Sequence, residues 1–146
     1  MKLLVFGDSG SRLPVKKIRR LFSLILEEEA DPDWQSEVNL IFTTDNRMRS
    51  LNREFRGKNQ STDVLSFNLE TPADAGNIFG EIYISVPIAA RQAKIPGHSL
   101  LQEYLRLSCH GLLHLFGYDH EKDSDAAVMH KREDHFLTCM GAVPSC

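Results

Sequence analysis

The segment 105–116, LRLSCHGLLHLF, constrains this chain more than any other. Wound as a helix it is apolar on nearly every side, with Leu105, Leu107, Cys109, Leu112, Leu113, Leu115 and Phe116 spread around the axis. Such a helix has no face for water and must be wrapped by other elements. Ser99 followed by Gln102 is a capping-box signal, so the spacing predicts a central helix from there to about Phe116. The rest of the chain supplies the wrapping. KLLVF (2–6), VNLIFT (38–43), TDVLSF (62–67) and GEIYIS (80–85) are short, rich in β-branched and aromatic residues, and read as four strands.

Helices fill the intervals. Pro14 opens one with Ile18, Leu21, Phe22 and Ile25 on its inner face. Thr43 or Thr44 caps a second, whose Met48, Leu51 and Phe55 form an apolar stripe and which Gly57 ends. A short helix is expected over Ile88–Lys94, before a break at Pro96-Gly97. Asp123 or Ser124 caps a last one, with Ala127, Phe136 and Leu137 inside. No repeat or linker interrupts the pattern, and 146 residues at 42% hydrophobic content suit one core. The expected architecture is a single α/β domain over residues 1–146, a four-stranded mixed sheet packed with helices around the buried central one.

The central helix also carries chemistry. HGLLHLFGYDH (110–120) holds three histidines at spacings of four and six. Four helical steps of about 100° bring His110 and His114 to one face, as two ligands of one ion require. Gly117 can stop the helix in a left-handed turn, letting His120 reach the same ion from outside it. Three histidines with a position left open are the catalytic type of zinc site, since structural sites close with four protein ligands. Cys109 is adjacent to His110, but neighbouring helix positions diverge, which favours a packed thiol. Asp119 suits three roles: orienting a histidine, acting as a base, or stabilising the turn. His98, His130 and His135 lack such spacing and read as surface or packing residues.

Charge narrows the partners. The net charge is −3, against a general nucleic-acid coat, yet residues 47–58 gather Arg47, Arg49, Arg53, Arg56 and Lys58 around a single Glu54. Such a patch can bind phosphate on an acidic protein, or be an ordinary solvated helix face. Residues 27–37 are acidic throughout their charged positions. No stretch is long and apolar enough to span a membrane, and the N-terminus reads as a first strand and not a signal peptide. Three cysteines, Cys109, Cys139 and Cys146, without CxxC spacing, fit reduced thiols and a cytoplasmic location.

Two resemblances follow. The histidines and Gly117 resemble the metzincin signature H-E-x-x-H-x-x-G-x-x-H, which makes the expected fold metzincin-like, but Gly111 stands where peptide hydrolysis needs its glutamate. HGLLHLFGYDH is more closely similar to the H-G-x-L-H-x-x-G-Y-D-H signature of the YbeY family of bacterial rRNA-maturation endoribonucleases. FRGKNQSTDVLSF (55–67) resembles that family's arginine-glycine-lysine block. GEIYIS resembles the strand before its long helix, with Glu81 where aspartate is common. Block order agrees over nearly the whole chain.

That resemblance implies a metal-dependent single-strand endoribonuclease acting in 16S rRNA 3′-end maturation and ribosome quality control. It implies one divalent ion held by His110, His114 and His120, with zinc favoured on availability. Either the ion's water or the RNA's own 2′-hydroxyl can be the nucleophile, and both routes pass a transition state more negative than the substrate. Arg56 is the candidate to stabilise it, a guanidinium matching phosphate bidentately. Arg56 and His114 are thus the expected catalytic residues. Lys58, Ser66 and Asn68 join Arg56 as candidate substrate contacts. Expected partners are rRNA, ribosomal particles and their proteins, without a membrane or nucleotide cofactor. The alternatives are an assembly or RNA-binding factor with a structural metal, and a metzincin-like peptidase.

Overall fold

The computed structural model describes residues 1–7, 12–94, 97 and 99–141. Its order is β1 (Lys2–Gly7), α1 (Val15–Glu29), β2 (Glu37–Thr43), α2 (Asp45–Arg56), β3 (Val64–Asn68), β4 (Ile78–Ser85), α3 (Val86–Gln92), α4 (Leu100–Leu115) and α5 (Asp123–Met140). The strands form one mixed sheet in the order β1-β2-β4-β3. β1, β2 and β4 run parallel, while β3 pairs antiparallel with β4 and forms one edge.

The central helix is where its composition demands. α4 contacts α1, α3, α5, β3 and β4, and ten of its residues, from Glu103 to Leu115, are buried. Its capping box is formed, with Gln102 N–H donating to Ser99 Oγ and Ser99 N–H to Gln102 Oε1. α1 buries Ile18, Leu21, Phe22 and Ile25, the expected stripe. These residues join Val38, Leu40, Phe42, Ile82, Ile84 and α4 in the main core, on one side of the sheet. α2 makes a smaller core on the opposite side, where Met48 and Leu51 pack on Leu65, Phe67 and Tyr83.

Several expectations need correction. Phe55, expected inside the α2 stripe, is 59% exposed. β3 is the edge strand, so the sheet ends beneath the last turn of α2 and covers only one side of that ring. Ala127 is exposed, and the inner face of α5 is Met129, Glu133, Phe136 and Cys139. α5 starts after Lys122 without a side-chain cap, and Asp123 and Asp125 lie in its first turn, favourable at the positive end of the helix dipole. Thr44 and not Thr43 caps α2. α3 starts two residues early because Ser85 caps it, accepting from Ile88 N–H. Cys109 is free, but Cys139 is disulfide-bonded, against the expectation of reduced thiols throughout. Pro96, His98 and Cys146 lie outside the described residues.

Candidate metal centre

His110 and His114 stand one turn apart on α4 with ring centroids 4.7 Å apart. After Leu115 the chain must reverse within a few residues to bring up the third ring. Gly117 does this at φ 99°, a conformation that side chains rarely adopt. Gly117 N–H donates to His114 O and Tyr118 N–H to Leu113 O, both at 3.0 Å, which satisfies carbonyls the helix end would orphan. Asp119 then accepts from His120 N–H (2.6 Å) and Glu121 N–H (3.0 Å). Of its three considered roles, the turn is the one these bonds support. Tyr118 OH donates to Glu29 Oε1 at 2.8 Å and pins the turn to α1.

His120 thereby reaches ring distances of 5.4 Å from His110 and 4.9 Å from His114. One nitrogen from each ring lies within 4.8 Å of the others, a set that could hold a metal ion. Its donor chemistry fits a borderline divalent ion such as zinc. Burial, then the neighbouring His110 and His120, push the His114 pKa down, so its ring favours the neutral form that carries a ligand lone pair. Cys109 is not part of the set. It is fully buried and its thiol is pushed up to about 12, chiefly by burial, which makes it an inert packing residue.

Sequence reasoning missed Glu133. Its carboxylate, only 8% exposed, lies 2.6 Å from Nδ1 of His110. A carboxylate on Nδ1 fixes the ring's tautomer and orientation and leaves Nε2 as the ligand atom. The role first considered for Asp119 thus belongs to a residue 23 positions from His110 on another helix. The available signal was an acid within the apolar series Met129, Glu133, Phe136.

Gly111 has a steric cause. A Cβ there would lie 2.6 Å from Ile82 Cγ2 and 3.1 Å from Ser66 Oγ, so α4 packs on β4 with no room for a side chain. Ser66 Oγ donates to Gly111 O at 3.1 Å, and Asn68 Nδ2 to Leu115 O at 3.0 Å. Both side chains, expected to meet substrate, use these donors to tie edge strand β3 to the helix.

The histidines open into a cleft of about 620 Å³ that also contains Arg56, Lys58, Ser66 and Asn68. All seven residues singled out from the sequence therefore share one cavity. Arg56 is exposed, with Nη2 donating to Ser66 O at 3.4 Å. Arg56 and Lys58 line the same cleft as the histidines, together with Asp63, Asp119 and Glu121.

An α/β domain whose central helix and following turn present three histidines to an open cleft belongs to the class with H-x-x-x-H-x-x-x-x-x-H metal-site motifs. More narrowly, the family model described as Endoribonuclease YbeY matches residues 7–141, and the chain belongs to that family. An Endoribonuclease YbeY from Desulforamulus reducens is 44% identical over 134 residues, covering 87% of this chain and 86% of that protein. One from Geobacillus thermodenitrificans is 38% identical over 147 residues, covering 93% and 94%. Another from Anaeromyxobacter dehalogenans is 44% identical over 108 residues, where the match spans 56% of the relative's length. The solution structure of TM1509 from Thermotoga maritima superposes with a TM-score of 0.67 at 27% identity, over 94% of this chain and 88% of that one.

Proposed function

We propose that residues 1–146 form a metal-dependent endoribonuclease domain that cuts single-stranded RNA, with the 3′ end of 16S rRNA and ribosome quality control as its setting. The observation that carries this reading is the cleft in which three histidines, with ligand atoms within 4.8 Å, meet the basic end of α2. His110, His114 and His120 would hold one divalent ion, with zinc favoured. When bound, that ion supplies Lewis-acid polarisation of a phosphoryl oxygen and a lowered water pKa. The protein's own groups do the rest. Glu133 holds His110 in register, and Asp119 and Tyr118 hold the turn of His120. Arg56 offers a planar guanidinium to the phosphate and stabilises the charge that builds there. Lys58 adds a second cation beside it. Partners on this reading are rRNA, ribosomal particles and their proteins, and the setting is the cytoplasm. No helix among the described residues is long and apolar enough to cross a membrane.

The test is cleavage of a defined rRNA 3′ precursor by highly purified protein, metal-stripped and reloaded, beside Arg56→Glu. Cleavage should vanish on stripping while circular dichroism shows the fold retained, and return on reloading. Arg56→Glu should keep its metal and lose at least about a hundredfold in rate, the scale of removing one transition-state donor. Full cleavage by stripped protein would sink the metal-dependent reading. Unfolding on chelation, with no cleavage by any sample, would favour an assembly factor with a structural ion.

A further inference from the structure

On the far side of β3 from the histidines lies a second groove, of about 570 Å³, between α2 and the strands β3 and β4. Its wall is Phe55, 59% exposed, with its ring centroid 5.2 Å from that of Phe67. Phe67 in turn meets Tyr83 edge-on at 6.0 Å, so three rings run from the surface toward the sheet. Leu69, 50% exposed, forms the rim. One exposed apolar residue needs no explanation, but a contiguous aromatic groove does.

Two features decide what would fill it. First, Arg47, Arg49, Arg53, Arg56 and Lys58 form no ion pair among the described residues, so the positive charge of α2 and the turn after it is not neutralised by any of them. Second, the groove itself sets two carboxylates, Glu54 and Glu81, against one cation, Arg47, so its balance is negative and disfavours a phosphate there. Glu81 already accepts from Asn39 and Tyr83, which leaves Glu54 to accept from an N–H group of a neutral base. Arg56 joins the two cavities: it lines the histidine cleft, and its Cζ lies 5.9 Å from the Phe67 ring. Ser66 and Asn68 border both. Single-stranded nucleic acid is commonly held in this way, with cations along the backbone and bases stacked on aromatic faces.

We propose that the Phe55–Phe67 groove seats one unpaired nucleobase of the RNA strand whose phosphate lies at Arg56. The inference rests on the ribonuclease reading of the cleft and adds to it a base subsite. The strand crosses the edge of β3, phosphate on the histidine side and base on the α2 side. Recognition of this kind tolerates any base sequence but requires the base to be unpaired, because a base inside a duplex has no free face to offer Phe55. The groove thereby supplies the selection for single strands.

The experiment uses the full-length, metal-loaded protein and a short cleavage-resistant oligoribonucleotide (2′-O-methylated, with phosphorothioate linkages) carrying a fluorescent purine analogue. Binding to wild type should quench the analogue by stacking. Phe55→Ala should weaken binding about tenfold, within the range measured for losing one base–aromatic stack, and abolish the quench. Phe55→Tyr should restore both. An oligomer of the same length without bases should bind wild type and Phe55→Ala equally. Should Phe55→Ala lower stability, Phe55→Leu, which keeps the apolar packing without the π face, takes its place. Equal affinity and equal quenching in wild type and Phe55→Ala would overturn the subsite, as would a variant that loses only its association with a protein. In both cases a persisting effect of Arg56→Glu would leave the ribonuclease reading standing. Loss of binding in neither variant, with no cleavage by wild type, would remove that reading itself.

Discussion

Along the seam between α1 and α5, Arg132 and His135 meet the carboxylates of Glu28 and Glu29. Arg132 donates to Glu29 Oε1 through Nη2 (2.7 Å) and Nε (3.0 Å), and reaches Glu28 at 3.4 Å. His135 Nε2 sits 2.7 Å from Glu28 Oε2, so a histidine expected to be unremarkable ties two helices together. In the cradle, three histidines face one another, and the buried carboxylate of Glu133 lies 2.6 Å from His110, with its other oxygen 3.8 Å from His130 outside the cradle. The same residue type is closed off in one place and left open in the other. Three rings that all become cations when protonated do not stabilise a fold by clustering, whereas one ion could satisfy them together. The seam and the cradle meet at Glu29, which binds both Arg132 and Tyr118, and along α5, where Glu133 follows Arg132 and reaches His110.

Substitutions can break that contrast in descending order. His114→Ala should abolish metal retention, read by elemental analysis. Equal metal in wild type and variant would put the cradle in the same structural category as the seam. Glu133→Gln should leave a folded protein whose metal affinity, measured by competition with a chelator, falls about tenfold. That is the low end for losing a ligand-orienting carboxylate, because glutamine still accepts from Nδ1. Arg132→Met removes the centre of the seam and its stacking over Phe136 at 4.8 Å. Urea denaturation should show a loss of about 1.5–3 kcal/mol, the scale of hydrogen bonds to charged groups, with metal content unchanged. A matching fall in metal affinity would show that the two regions are one unit.

The smallest effect concerns pH. The hydrogen bond from His135, followed by the charges of His135 and Arg132, holds the Glu28 carboxyl below its usual 4.5. A depressed carboxylate contributes stability that is present above the unfolded value and is lost as pH falls through the lower folded one. Wild type should therefore lose more stability than Glu28→Gln on acidification below about pH 4.5, while the two differ by a constant amount at neutral pH. Glu28 is exposed, so the difference should stay within the 0–1 kcal/mol of surface pairs, about the resolution of a careful melting series. A larger difference would mean that the seam is stronger than its exposure implies.

The cradle was legible because its three histidines lie within eleven residues and helical geometry alone brings two of them together. The four strands and the buried stripe of α1 were legible for a similar reason, since each is a periodic pattern read locally. What escaped is tertiary. Glu133 reaches His110 only because α5 packs back on α4, and nothing near HGLLHLFGYDH announces it. Phe55 has helix-stripe spacing and still faces solvent, because the sheet beneath α2 stops at β3, a fact of strand order and not of α2. Strand and helix bounds moved by one or two residues where caps such as Ser85 and Thr44 decided them.

Gly111 couples catalytic class to helix–sheet distance. A glutamate at this position, the one change the metzincin pattern asks for, could not be installed on the present backbone, since even its first carbon would collide with Ile82. Making room means moving α4 away from β4. That shift would carry His110 and His114 with it and break the bonds from Ser66 and Asn68 that tie down β3. Conversion toward peptide chemistry would therefore demand a coordinated rebuilding of helix, sheet and cradle. The close packing of α4 on β4 thus ties the identity of position 111 to the placement of the cradle histidines.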